Sequence, residues 1–276
     1  MAINQDKKNR IEEVVKKILA TRIKTFPTLD SRNRNAPFHE LIVSAFQEQF
    51  KHINVPIPYL VALSSWMHGL STSLGSGFES LAHILSGGYK REFTREFTMR
   101  IKQSQAQNID TIIRELKTGR KKGGKDPDLD RENRLIFNFS RDEEEVNALG
   151  FTVDNYREAE NLIEGIELKS VRPNSGEGRG EKQKILHAKA AFKKMCPDKK
   201  ILFYIGFPFD PTATKPFDYD KERFFNYLVE FKKYFSPDEV LIAAELWDHL
   251  SGHKNTMEEI IETMTKVIEK AVKNSA

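Results

Sequence analysis

The sequence predicts an α/β fold, a mixed central sheet flanked by helices, with a helical N-terminal part. Three observations carry this expectation. KILFYIGFPF, residues 200–209, is a nearly continuous apolar run of strand length, as a strand covered on both faces requires. Ahead of it, EKQKILHAKAAFKKM places Ile185, Ala188 and Phe192 on one helical face and Lys182, Lys189 and Lys193 on another. Before that helix stands a strand-like run holding Glu167, Leu168 and Lys169, and strand, helix, strand implies a right-handed crossover with parallel pairing.

The elements follow in order. Ile11, Val14, Val15, Ile18, Leu19 and Ile23 form one helical stripe, and PFHELIVSAFQEQF resumes helically behind Pro37. PYLVALSSWMHGL is an apolar core segment with Trp66 and Met67. STSLGSGFESLAHILSGG is expected to open as a polar Ser/Gly turn and to continue as a helix with Glu79 in its first turns. There Ser71, Thr72 and Ser73, with nearby backbone N–H groups, could hold a DNA phosphate. The stretch from Tyr89 to Gly119 reads as helical for most of its length and carries the basic run Lys90, Arg91, Arg95, Arg100 and Lys102. Residues 118–133, with Gly, Pro and alternating charge, read as a mobile linker or loop. RLIFNF is expected as a short strand, DKERFFNYLVEFKKYF as a helix, EVLIAAELW as a buried strand and TMEEIIETMTKVIEKAVKN as a terminal amphipathic helix. The expected organisation is a helical part over 1–117 packed on the core, the linker over 118–133 and a catalytic α/β core over 134–276.

Composition sets bounds. With 276 residues, 39% of them hydrophobic, the chain can bury a substantial core in one large domain or two small ones. Its 44 Lys and Arg against 40 Asp and Glu leave a net charge of only +4, so a polyanion partner must be argued from local distribution. Cys196 is the single cysteine, which excludes an internal disulfide and a cysteine-based zinc site. The start of the sequence is polar and no apolar run approaches membrane-spanning length, so a cytoplasmic protein is expected.

The chemistry concentrates between Val153 and Phe192. Glu167 and Lys169 are two apart, and residues i and i+2 of a strand share a face. Asp154 lies far enough upstream for a strand, a tight turn and a return that brings its carboxylate beside Glu167. Two adjacent carboxylates repel each other and favour a hard divalent cation with oxygen ligands, most plausibly Mg²⁺. Such a centre suits phosphodiester hydrolysis, with Lys169 orienting or deprotonating the water or holding the phosphate. The spacing alone is common: it recurs at Glu115 to Lys117, Glu230 to Lys232, Asp6 to Lys8 and Asp198 to Lys200. Only the Glu167 copy combines a strand-like run, an upstream Asp and a basic helix behind it. RPNSGEGRGEKQK adds Arg172, Asn174, Arg179, Lys182 and Lys184 as candidate DNA contacts; its bland alternative is a flexible surface loop. His187 and His249 lack paired spacing and read as structural or surface residues, and Trp247 as core.

The order of PFHELIV, LSTSLGSGFESLA, the Asp154 to Lys169 block continuing SVRPN, the strand ending FPFDP, and ELWDHLSG resembles type II restriction endonucleases of the TdeIII type, members of the PD-(D/E)xK nuclease superfamily. These blocks span most of the chain. The resemblance implies a restriction-endonuclease-like core and Mg²⁺-dependent cleavage of double-stranded DNA at a short, palindromic, GC-rich site. It also implies a homodimer, a companion DNA methyltransferase and a prokaryotic cytoplasmic setting. Carried over residue by residue, Asp154 and Glu167 match the acidic metal ligands, Lys169 the catalytic lysine and Glu79 a supporting helical carboxylate. Val153 stands where the superfamily usually has proline.

Three other readings are compatible with the residues: a structure-selective repair or junction nuclease with the same centre, a DNA-binding protein without catalysis, and a nucleotide-binding module on Gly176, Gly178 and Gly180. The last has spacing G-x-G-x-G with no Gly-Lys-Ser/Thr element.

Overall fold

The structure, a computed structural model, describes residues 3–30, 37–50, 52, 55–93, 99–169, 175–228 and 230–273. In chain order the elements are α1 (Gln5–Lys24), α2 (Pro37–Ser44), α3 (Ile57–Ser86), β1 (Tyr89–Phe93), β2 (Arg100–Lys102), α4 (Gln103–Thr118), α5 (Leu129–Phe137), β3 (Glu145–Asn147), β4 (Phe151–Ala159), β5 (Leu162–Leu168), α6 (Ser175–Met195), β6 (Lys200–Phe207), α7 (Lys221–Tyr227), β7 (Val240–Ile242), α8 (Ala244–Ser251) and α9 (Thr256–Lys273). They form two compact units, Met1–Ile3 with Ala82–Glu259 and Asn4–Leu81 with Ile260–Ala276.

The larger unit is built on a mixed five-stranded sheet in the order β1-β4-β5-β6-β7. The pairs β1/β4 and β4/β5 are antiparallel, while β5/β6 and β6/β7 are parallel. The fold is therefore the expected mixed α/β sheet flanked by helices with a helical N-terminal part. The helix α6 supplies the crossover between the parallel strands β5 and β6. It covers one sheet face through an aromatic layer: Phe192 stacks on Tyr156 with ring centroids 5.8 Å apart and on Phe203 at 6.0 Å, and Phe93 stacks on Phe151 at 4.6 Å. Gly165 makes room for this layer, since a Cβ there would lie 2.4 Å from the Phe203 ring.

In the helical unit, Asn4 caps α1 by accepting the Lys7 N–H at 2.9 Å, and Ile11 and Val15 are buried. Gly77 of α3 permits the Ile18 side chain to approach, since a Cβ there would come within 2.7 Å of it.

Several local expectations give way to tertiary context. The Ser/Gly segment from Ser71 is no turn; α3 runs unbroken for 30 residues. Ser71, Thr72 and Ser73 donate to the carbonyls four residues back, on Met67, His68 and Gly69, at 2.9–3.1 Å, so the hydroxyls are satisfied within the helix they were expected to interrupt. The stretch after Tyr89 contributes two strands before α4 begins, because Phe93 is drawn into the aromatic layer. RLIF of RLIFNF forms the end of the helix α5, not a strand, and Asn138 follows it as the C-cap. Asp128 caps it by accepting the Arg131 N–H at 2.9 Å, while Gln105 and Asn108 donate to the carbonyls of Ile136 and Leu135 at 2.7 and 2.9 Å. The segment GEGRGEKQK lies within α6. EVLIAAELW stops being strand at Ile242 and turns into α8 through Ala243, which has φ 48°.

A charge cluster ties α6 to α5 and to the 3-10 turn Pro237–Glu239. The fully buried Lys182 ammonium pairs with Glu132 and with Glu239, both at 2.5 Å. Burial and the Glu239 charge push the Glu132 carboxyl up against the pull of Lys182. Two turns further along α6, burial lowers the Lys189 pKa to about 8. Removing Lys182 leaves two buried carboxylates without their cation. Lys182→Met is therefore expected to lower the unfolding free energy by about 3–5 kcal/mol in urea titrations. Lys189 has the opposite sign. Its folded pKa of about 8 lies below the ordinary 10.5, so it destabilises fully below pH 8 and ceases to do so by pH 10.5. Lys189→Met is expected to gain ~3 kcal/mol at pH 7, an advantage that fades through that window.

Candidate active site

The centre forms where β4 and β5 pair. Their register runs through Asn155 opposite Ile166, which makes Asp154 and Glu167 the next cross-strand neighbours on the same face. The expected strand, turn and return is what the chain forms. Asp154 Oδ2 accepts the Leu168 N–H at 3.0 Å, so its carboxylate closes the pairing at the strand end. Lys169 N–H donates to the Gly206 carbonyl at 2.8 Å and carries the residue onto β6.

Around this pair the charges alternate. The Lys169 ammonium donates to Glu167 Oε1 and to Glu181 Oε1, both at 3.1 Å, with Glu177 at 3.9 Å. Glu181 and Glu177 stand one turn apart on α6. Lys184 donates to the same Glu181 oxygen at 3.2 Å, and Lys90 of β1 lies 3.2 Å from Asp154 Oδ1. His83, at the end of α3, places Nε2 2.6 Å from the Asp154 carbonyl oxygen. Burial and the neighbouring Asp154 charge push the Glu167 carboxyl up to about 7, against the attraction of Lys169. Burial works against the Lys169 ammonium too, but Glu167 and Glu181 outweigh it and hold its pKa above the ordinary lysine value.

This donor set is one of oxygens. A buried carboxylate beside a second carboxylate gains from any hard cation that neutralises both. Among the described residues no group of three or more His, Cys, Asp or Glu side chains is arranged to hold a metal ion. Asp154 and Glu167 would offer such an ion one or two carboxylates, leaving its remaining positions to water and phosphate oxygens.

The structure brings Asp154, Glu167 and Lys169 together. Glu79 is half-buried on α3 in the helical unit, one turn before His83. Arg172 and Asn174 lie outside the described residues. Arg179 is exposed on α6, and Lys184 is half-buried against Glu181. Two expectations are corrected. Lys182 cannot meet a phosphate in this conformation, because its ammonium faces Glu132 and Glu239 in the interior. Ser73 is no part of a phosphate cradle: its hydroxyl is taken by Gly69 and by Arg22, which donates at 2.9 and 3.2 Å, and its backbone lies mid-helix. The Gly176, Gly178 and Gly180 motif is likewise helical and offers no phosphate-binding loop. His249 is structural, pairing with the buried Glu164 at 2.8 Å, and the Trp247 indole donates to the Pro208 carbonyl at 2.9 Å within the core.

Glu181, Glu177, Lys90 and His83 were not singled out as site residues from sequence. Glu181 and Glu177 had one usable signal, their four-residue spacing on one face of α6, hidden because their segment reads as a loop.

A family model described as type II restriction endonuclease, HinfI, matches residues 3–268. The chain is 44% identical over 269 residues to the type II restriction enzyme MjaII of Methanocaldococcus jannaschii, an alignment covering 94% of this chain and 70% of that protein. Both findings agree with the type II restriction class read from the segment order, and the matching family model is that of HinfI, not the TdeIII type.

The two functions of the Asp154 side chain are separable. Asp154→Asn keeps an oxygen to accept the Leu168 N–H and removes a charge beside Glu167, so its melting temperature is expected to equal or exceed that of the wild type. Asp154→Ala orphans that N–H and is expected to cost about 1–3 kcal/mol by denaturant titration.

Proposed function

The chain belongs to the HinfI family of type II restriction endonucleases and is a site-specific deoxyribonuclease, and we propose that Asp154, Glu167 and Lys169 are its catalytic centre, acting with Mg²⁺ in the manner of the PD-(D/E)xK superfamily. The observation that carries this reading is the cross-strand placement of Asp154 beside Glu167, with Lys169 on the same face and held by Glu181. Asp154 and Glu167 would hold the ion, and when bound it supplies Lewis acidity toward the phosphate. Mg²⁺ fits because it binds through one or two carboxylates and keeps several waters.

The remaining steps belong to the chain's own groups. Lys169 acts as a fixed ammonium that holds the scissile phosphate and meets the charge growing on its oxygens. Glu181 anchors that ammonium independently of Glu167 and is a positioning residue. Lys90 neutralises Asp154 while no substrate is present. Glu79 enters as the accessory helical carboxylate implied by the family resemblance. Arg172, Asn174, Arg179 and Lys184 are the proposed DNA contacts, Arg and Asn being able to pair with base edges.

The substrate is double-stranded DNA with a short palindromic, GC-rich site. A palindrome is matched by a two-fold pair of copies, so the active species is a homodimer, accompanied in its host by a DNA methyltransferase. Light scattering with and without duplex reads the assembly.

Plasmid incubated with the protein and Mg²⁺ is expected to give discrete fragments, and EDTA to prevent them. Lys169→Ala and Glu167→Ala are each expected to reduce cleavage at least about 100-fold with the fold retained. Glu181→Gln is expected to lower kcat on the order of 10-fold with unchanged DNA affinity. Intact DNA from folded wild-type protein on plasmids of varied sequence would refute the assignment.

A further inference from the structure

The connection between α4 and α5 carries Arg120, Lys121, Lys122 and Lys125, and the last turn of α4 adds Lys117. All five are exposed. Asp126 lies 3.8 Å from Arg120; no carboxylate among the described residues pairs with the other four. A net charge of +4 over the whole chain makes this a local concentration.

The connection is also built, which a merely solvated charge run does not need. Gly119 N–H closes α4 on the Glu115 carbonyl at 2.9 Å, and Lys125 N–H returns to that same oxygen at 3.2 Å. Between them Lys122, Gly123 and Gly124 donate to Gly119, Arg120 and Gly119 at 3.0, 3.1 and 2.9 Å. Gly119 and Gly123 have φ of 71° and 86°, which side chains rarely adopt. Gly124 passes so close to α4 that a Cβ would sit 2.2 Å from the Glu115 oxygen. The glycines of TGRKKGGK thus fold the backbone into a tight turn and leave the cations outside it. Cations carried on an ordered turn lose less conformational freedom on meeting a polyanion than cations on a slack one.

We propose that this turn is a backbone clamp for double-stranded DNA, neutralising phosphates without reading bases and so setting affinity and salt dependence while leaving site choice alone. The assignment rests on the DNA-cleaving function proposed above.

Fluorescence anisotropy on a duplex, in EDTA and between about 50 and 200 mM KCl, tests it. The probes are wild type, Lys121→Ala/Lys122→Ala, and a matched control pair in the same unit, Lys200→Ala/Lys254→Ala. The clamp requires that the first pair flatten the slope of log K against log salt by about 1.8, two phosphate contacts' worth, with the fragment pattern on plasmid unchanged. The control pair must keep the wild-type slope. A wild-type slope in Lys121→Ala/Lys122→Ala, or equal flattening in both pairs, overturns the clamp and leaves the nuclease reading intact. Failure of the wild type to bind any duplex overturns both.

Discussion

The antiparallel pairing of β4 with β5 is the constraint on which the centre depends. Side chains along a strand alternate between faces, so a slip of one residue would send Asp154 or Glu167 to the opposite side of the sheet. The register is held at the critical end by Asp154 itself, whose carboxylate accepts the Leu168 N–H at 3.0 Å. Gly165 secures the same register from within, because only a residue without Cβ lets the Phe203 ring lie across it. A proposed metal ligand thus doubles as a structural acceptor.

The second support is α6, which does three things at once. Its apolar face, through Phe192, completes the aromatic layer over the sheet. Glu181 aims its carboxylate at Lys169. Lys182, next in sequence, turns inward to Glu132 and Glu239. Adjacent helical residues point about 100° apart, so one helix serves the proposed centre and an interior cluster from neighbouring positions. The interior cluster fixes α6 against α5 and the Pro237–Glu239 turn, and with it the position of Glu181.

Electrostatically, the centre is an alternation of unlike charges at the edge of burial. Asp154 has Lys90, Glu167 has Lys169, and Lys169 has Glu181 as a second carboxylate. Burial alone would disfavour the Lys169 charge, and Glu167 and Glu181 keep it. Glu167 differs: burial and Asp154 together push it up to about 7, so it gains most from a cation. The Lys182 cluster differs in lying wholly in the interior, with its ammonium between Glu132 and Glu239.

The sequence by itself determined the mixed α/β class, the parallel β5-α6-β6 unit and the trio Asp154, Glu167 and Lys169, because these rest on periodicity along one segment and on residues near each other in the chain. Trp247 in the core was legible for the same reason. Tertiary structure alone decided what lay across segments. Lys182 carries the same side chain as any phosphate contact and differs only in the carboxylates that α5 and a distant turn bring to it. Ser73 and the Ser/Gly segment look like a turn until Arg22 and Ile18 of α1 pack against them and favour an unbroken α3. RLIFNF has the composition of a strand, yet its backbone carbonyls find Gln105 and Asn108, which only a helix can offer them. Glu181, on a segment whose glycines argue for a loop, becomes a partner of Lys169 only because α6 begins early enough to carry it there. Local propensity is worth tenths of a kcal/mol per residue to about one, and burial of an aromatic layer exceeds it.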